Sequence, residues 1–120
     1  MPTFEVWDVV KVPFPYTDRP VRQRRPALVI AAGELQAGHG LLWLAMITSA
    51  ANRGWSGDVV VSDLGEAGLP VASIVRPAKI ATIEAHDAER LGLLTLRDRA
   101  AVASYLLDRL GAVFEQVRQS

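Results

Sequence analysis

Arg25-Pro26-Ala27-Leu28-Val29-Ile30 and, further along, Leu44-Ala45-Met46-Ile47-Thr48-Ser49 are the two stretches that decide the reading of this chain. Each is a short apolar run with a polar group at one end. Such runs, bounded by turn-forming residues, read as buried strands. If both strands lie in one small barrel, an arginine and a hydroxyl face each other at its rim. A guanidinium fixed beside a hydroxyl is a device for holding a phosphate and stabilising extra charge on it.

Working outward, Glu5 to Phe14 is rich in Val with Trp and Phe, and reads as a strand ending at Pro13-Phe14-Pro15. The stretch from Pro15 to Arg24 holds prolines and arginines and reads as a loop. Ala27 to Ala32 is a buried strand, Gly33 to Gly40 a glycine-rich connection with room for a helical turn, and Leu41 to Thr48 the next strand. Ser49 to Gly57 is a loop with Trp55 near its tip, Asp58 to Ser62 a Val-rich strand, and Gly65 to Pro70 a link. Ser73 to Arg76 and Lys79 to Ile83 read as strand segments interrupted by Pro77, which is tolerated best at an edge or bulge. His86 to Leu93 reads as a turn or short helix closed by Gly92.

Thr95-Leu96-Arg97-Asp98 has the form of a helix start, with Thr95 as cap. Beyond it, Val102, Leu106, Leu110, Val113 and Val117 recur on one helical face, which is read as core packing. Gly111 weakens that helix by about 1 kcal/mol relative to alanine, or marks a break or a close contact. Short strands joined by turn-rich links favour a small barrel over a parallel sheet, because parallel strands need long crossovers. The expectation is a mainly β fold with α, spanning 1–120 as one domain: a small barrel whose open side the final helix covers.

Composition narrows the function. Half of the 120 residues are hydrophobic and 22% are charged, enough for a real core. Lys+Arg and Asp+Glu both number 13, so a basic nucleic-acid surface can come only from local placement. No cysteine is present, which removes disulfides, thiolate nucleophiles and cysteine-ligated zinc. The N-terminus has Glu5 and Asp8 and no basic region of the signal-peptide kind. The longest apolar stretch, Leu41 to Ile47, is far short of the roughly 20 residues that span a bilayer. The expectation is a cytoplasmic protein with no membrane partner.

Taken in order, Asp8-Val9-Val10-Lys11-Val12-Pro13-Phe14-Pro15 with Thr17-Asp18, Arg24-Arg25-Pro26-Ala27-Leu28-Val29-Ile30, Ala45-Met46-Ile47-Thr48-Ser49, Ala67-Gly68-Leu69-Pro70, Ser73-Ile74-Val75-Arg76 with Lys79-Ile80, and Leu91-Gly92 resemble the MazF/PemK family. These are the toxins of type II toxin–antitoxin systems, and the likeness runs over almost the whole chain. The resemblance implies a dimeric SH3-like (PemK-like) barrel with a terminal helix. It implies metal-free cleavage of single-stranded RNA, and an antitoxin that lays an extended acidic segment over the active groove. It further implies that the antitoxin complex binds operator DNA. The family's arginine of the Arg-Pro pair falls on Arg25 and its strand-end threonine on Thr48. Two departures stand out. The family usually has glycine where this chain has Trp7. Some members also have an aspartate where it has Ala78, so no Arg–Asp mechanism through Arg76 is expected.

A metal-free ribonuclease uses the RNA's own 2′-hydroxyl as nucleophile, and must align it and stabilise a phosphorane. Arg25 suits that second task because its fork matches two phosphate oxygens. Its pKa above about 12 makes it a poor base. Thr48 can donate to a phosphate oxygen. The plainer readings are a surface arginine before a proline and a hydroxyl that caps a turn. Arg19, Arg22 and Arg24 form a basic loop suited to RNA phosphates, or a solvated loop. Arg53 and Trp55 offer a stacking platform for an unpaired base, or in Trp55 a dimer contact or local anchor. Ser49 and Arg76 complete the expected RNA contacts, and Trp43 reads as core.

His39 and His86 lie on predicted loops without a sequence partner, and no cluster has metal-ligand spacing, so no cofactor and no metal is expected. The rival reading is a non-catalytic module on the same barrel, one that poisons gyrase by contact or only binds its antitoxin.

Overall fold

The computed structural model describes residues 3–13 and 23–119. Six strands form one antiparallel sheet: β1 (Asp8–Pro13), β2 (Arg24–Ala31), β3 (Leu41–Ser49), β4 (Val59–Val60), β5 (Ser73–Glu84) and β6 (Glu89–Leu93). Their spatial order is β4-β5-β3-β2-β1-β6. The sheet curls into a half-barrel accompanied by α1 (Glu34–His39), α2 (Leu64–Ala67) and the 24-residue α3 (Leu96–Gln119). This is the barrel-with-helix architecture read from the sequence.

The central strands are buried on both faces because consecutive residues feed two separate cores. Val10, Val12, Ala27, Val29, Leu44 and Met46 belong to one cluster, while Val9, Leu28, Ala45, Ile47, Val75 and Val102 belong to the other. Strand alternation sorts neighbours to opposite sides, which explains why these strands read as continuous apolar runs.

Several expectations change in detail. The first strand begins at Asp8, not Glu5, because Trp7 turns the chain with φ of 81°, the one positive φ among described non-glycine residues. The glycine expected there adopts that conformation freely, whereas a bulky residue holds it at a cost of about 1–3 kcal/mol. The Trp7 backbone is pinned on both sides: its N–H donates to Val29 O at 2.9 Å and its C=O accepts from Leu94 N at 2.9 Å. Its ring lies 5.7 Å from the Arg99 guanidinium carbon.

The second strand starts at Arg24, so Arg25 lies within it. The link around Gly65 contains α2, capped by Asp63, whose Oδ1 accepts from Glu66 N at 3.0 Å. Pro77 does not split β5. Ala45 pairs with Ile80 while the next residue, Met46, pairs with Arg76, and this bulge carries Pro77 outside the ladder.

The stretch from His86 is a 3₁₀ turn, Ala85–Asp87, followed by the strand β6. Gly92 lies inside that strand instead of closing a helix. A Cβ there would stand 2.3 Å from Glu66 O, so the glycine lets α2 approach.

Trp43, expected in the core, is 47% exposed. The core on that part of β3 covers only the face of Leu42 and Leu44. Only the first half of α3 packs: Val102 is fully buried and Leu106 partly, but Leu110, Val113 and Val117 are exposed. The helix runs through Gly111, where an added Cβ would meet nothing within 4 Å, so this glycine is neither a break nor a close contact.

Candidate functional site: a cationic cavity at the ends of two strands

Ala27 faces Met46 across β2 and β3. Arg25 lies two residues before Ala27 and Thr48 two residues after Met46, so both stand just past the end of this ladder. Arg25 and Thr48 are partly buried and line one cavity of about 420 Å³.

Lys11, Gln23, Arg24, Ser49, Asn52 and Ser73 share its lining with apolar residues, and no histidine or carboxylate does so among the described residues. Three cations therefore gather here in a chain of zero net charge. Lys11, missed in the sequence reading, alternates out of β1 and faces Pro26 in the register. Arg19 and Arg22 lie outside the described residues. Arg24 is exposed and tethered: it donates to Lys11 O at 3.5 Å and Asp87 O at 3.3 Å, and lies 3.7 Å from the Glu89 carboxylate.

The polar groups on the lining are ordered by local bonds. Arg25 Nη2 donates to Gln23 Oε1 at 3.1 Å. Ser49 caps the 3₁₀ turn Ala50–Asn52, its Oγ accepting from Ala51 N at 3.2 Å. That turn carries Asn52 back over β3, where Asn52 Nδ2 donates to Thr48 Oγ1 at 3.1 Å. Arg53 follows as an exposed residue outside the lining.

Arg76 and Trp55, expected among the RNA contacts, are placed elsewhere. Arg76 is 9% exposed and does not line the cavity. Its Nε donates to Asp58 Oδ1 at 3.0 Å and its Nη2 to Asp58 Oδ2 at 3.1 Å, while Nη2 also reaches Asn52 O at 2.8 Å. Its guanidinium carbon sits 4.2 Å from the Trp55 ring centroid. The carboxylate that position 78 lacks is thus supplied by Asp58, as a structural partner. The bond from Arg76 is the largest influence holding Asp58 below its ordinary carboxylate pKa; burial opposes it, and the amides of Trp55 and Gly54 add to it. The same pairing raises the Arg76 pKa. Each group fixes the other in its charged form.

Glu84, His86 and Asp87 do bring ligand atoms within 4.8 Å of one another, which sequence spacing did not reveal. All three are exposed and stand outside the cavity lining. His86 spends both ring nitrogens on its neighbours, Nε2 at 3.0 Å from Glu84 and Nδ1 at 3.2 Å from Asp87. Among the described residues no helix is long and apolar enough to cross a membrane.

Solved structures share this fold. MazF from Deinococcus radiodurans is similar at 23% identity, with a TM-score of 0.74 over 92% of this chain and 99% of that one. The Mycobacterium tuberculosis toxin MazF-mt6 is similar at 20% identity, with a TM-score of 0.65 over 84% and 93%. An endoribonuclease in complex with its cognate antitoxin, from a mycobacterial species, is similar at 16% identity, with a TM-score of 0.70 over 92% and 96%. No match is found among curated proteins. The family model for the PemK-like, MazF-like toxin of type II toxin–antitoxin systems matches residues 5–110. With that match over all six strands and more than half of α3, the chain belongs to the MazF/PemK family of type II toxins.

Proposed function

We propose that this toxin is a metal-independent, sequence-selective endoribonuclease that cuts single-stranded RNA by attack of its own 2′-hydroxyl. The observation that carries the reading is Arg25 and Thr48 on the lining of one cavity, with Lys11 and Arg24 beside them. In the reaction the 2′-oxygen loses its proton and bonds to phosphorus. The bond to the 5′-oxygen breaks and that oxygen takes a proton, leaving a 2′,3′-cyclic phosphate and a 5′-hydroxyl end. Arg25 neutralises the charge that builds on the phosphorane, and Thr48 donates to one of its oxygens. Lys11, Arg24 and Ser49 hold flanking phosphates. No histidine or carboxylate stands on the described lining, and the reading gives Arg25 and Thr48 the work of charge stabilisation and alignment.

The partner we assign is a cognate antitoxin with an acidic extended segment, which the cationic lining suits; the solved MazE–MazF complex of the D. radiodurans fold relative supports it. The assembly is a homodimer, for which the uncovered apolar residues of α3 (Leu107, Leu110, Phe114) offer surface. The toxin–antitoxin complex binds operator DNA, and the toxin acts in the cytoplasm, where its substrate is.

The test is incubation of purified, antitoxin-free protein with a long single-stranded RNA in excess EDTA, beside Arg25→Ala, followed by end mapping. Discrete cuts by the wild type alone, with cyclic phosphate ends, bear the reading out. Intact RNA from folded protein would shift it to a gyrase-binding or antitoxin-binding module.

A further inference from the structure

We infer that Asn52 is a positioning residue that sets the direction of the Thr48 hydroxyl, and that Arg76 and Asp58 hold Asn52 in place to do so. The inference rests on the catalytic reading of Thr48 and adds a residue to it. A threonine hydroxyl has one proton to donate and two acceptor sites. Asn52 Nδ2 fills one acceptor site at 3.1 Å. The hydroxyl proton is therefore turned away from Asn52. The cavity that Thr48 and Asn52 both line is where an anionic oxygen would receive it. Without Asn52 the hydroxyl rotates freely, and part of its time is spent in orientations that offer the substrate a lone pair.

Asn52 is exposed, so its own packing does not hold it. Its backbone is held instead. Arg76 Nη2 donates to Asn52 O at 2.8 Å, and Ala50 N, two residues earlier, donates to Ala72 O at 2.9 Å. On the far side of the loop, Asp58 Oδ2 accepts from Gly54 N at 3.2 Å and Trp55 N at 3.1 Å. The Asp58–Arg76 pair thus holds the loop from Asn52 to Trp55, while Ala72 holds the start of the turn. The path runs from a buried ion pair, through one carbonyl, to the amide that touches Thr48.

A double-mutant cycle tests this. Rates and KM are measured on a short single-stranded RNA carrying one mapped cut site, for Asn52→Ala, Asn52→Asp, Thr48→Val and the paired variants, with melting temperature as a fold check. Asn52→Ala should lower kcat by about 3- to 10-fold, the worth of one hydrogen bond, with KM nearly unchanged. Asn52→Asp should lose more, because a carboxylate only accepts and draws the Thr48 proton to itself. In the Thr48→Val background Asn52→Ala should have no further effect, within about 2-fold.

An equal loss from Asn52→Ala in both backgrounds would mean that Asn52 acts on its own, and would overturn the inference. So would wild-type kcat for Asn52→Ala alone. Both results leave the role of Thr48 standing. Wild-type cleavage by Thr48→Val would instead remove the catalytic reading itself, and the inference with it.

Discussion

The cavity at the ends of β2 and β3 and the clamp beneath the 50–58 loop each hold an arginine, and they differ in what surrounds it. Arg76 meets a carboxylate in fork geometry, a carbonyl and a ring, and is nearly excluded from solvent. Arg25 sits partly buried on an open lining with two further cations and no carboxylate among the described residues. A guanidinium whose charge is matched inside the fold stabilises it. One placed among like charges raises the local potential and draws an anion. Both arginines lie in strands, and the sequence reading gave Arg25 a catalytic role and Arg76 an RNA contact. Their surroundings differ, and the proposed function rests on that difference.

The largest effect that would break this comparison is on cleavage. Arg25→Ala should lower the single-turnover rate by about 10³-fold or more, by analogy with the removal of a transition-state arginine or oxyanion donor, while the urea unfolding midpoint stays near wild type. An unfolded Arg25→Ala protein would place Arg25 with Arg76 as a structural group.

Arg76→Met is the mirror experiment. It strands the Asp58 carboxylate, 9% exposed, without its partner. Breaking a buried pair from one side costs about 3–5 kcal/mol. Equilibrium urea denaturation should show that loss. Cleavage at permissive temperature should fall no further than in Asn52→Ala, since the clamp reaches Thr48 only through that residue.

The clamp also predicts a pH dependence. The Asp58 pKa is lowered from its ordinary 3.8, so its contribution is fully present above that value. It is lost as pH falls through the lower folded-state value, where protonation must break the bonds to Arg76. Asp58→Asn should therefore be less stable than wild type at neutral pH, and its stability should decline less on acidification. Melting temperature followed from pH 7 into the acid range measures it. Parallel curves would mean that Asp58 titrates alike in folded and unfolded chains.

How much of this was legible follows the range of the interactions. The apolar runs of β2 and β3 declared themselves because alternation into two cores makes them continuous, and Arg25 and Thr48 were readable as their polar ends. β6 was missed because Arg90, Leu91 and Gly92 give a poor strand pattern. Its place is set by pairing with β1, where Val10 faces Arg90 and Val9 faces Gly92, far away in sequence. Asp58 was invisible as the partner of Arg76 for the same reason, since Ala78 spoke only to a carboxylate two residues further on. Asn52 carried no signal, since an asparagine in a loop reads as turn chemistry. Trp43 misled because aromatic content in a strand says nothing about which face the core covers. Trp7 was flagged as a departure, and the structure supplies its meaning as a positive φ.

The smallest effect draws the boundary most finely. Trp55 covers the Arg76 guanidinium at 4.2 Å, yet half of its surface stays open and it does not line the cavity. A cation–π contact at such a site contributes about 0.5–1 kcal/mol. Trp55→Ala should lower stability by that amount, because the Asp58–Arg76 fork survives without the ring. Cleavage rate should stay at the wild-type level, since the bond from Arg76 to Asn52 O does not need the indole. A drop in kcat as deep as that of Thr48→Val would move Trp55 from the clamp to the RNA-contacting surface. The two regions would then be one site, with the loop closing over bound RNA and Arg76 as its floor.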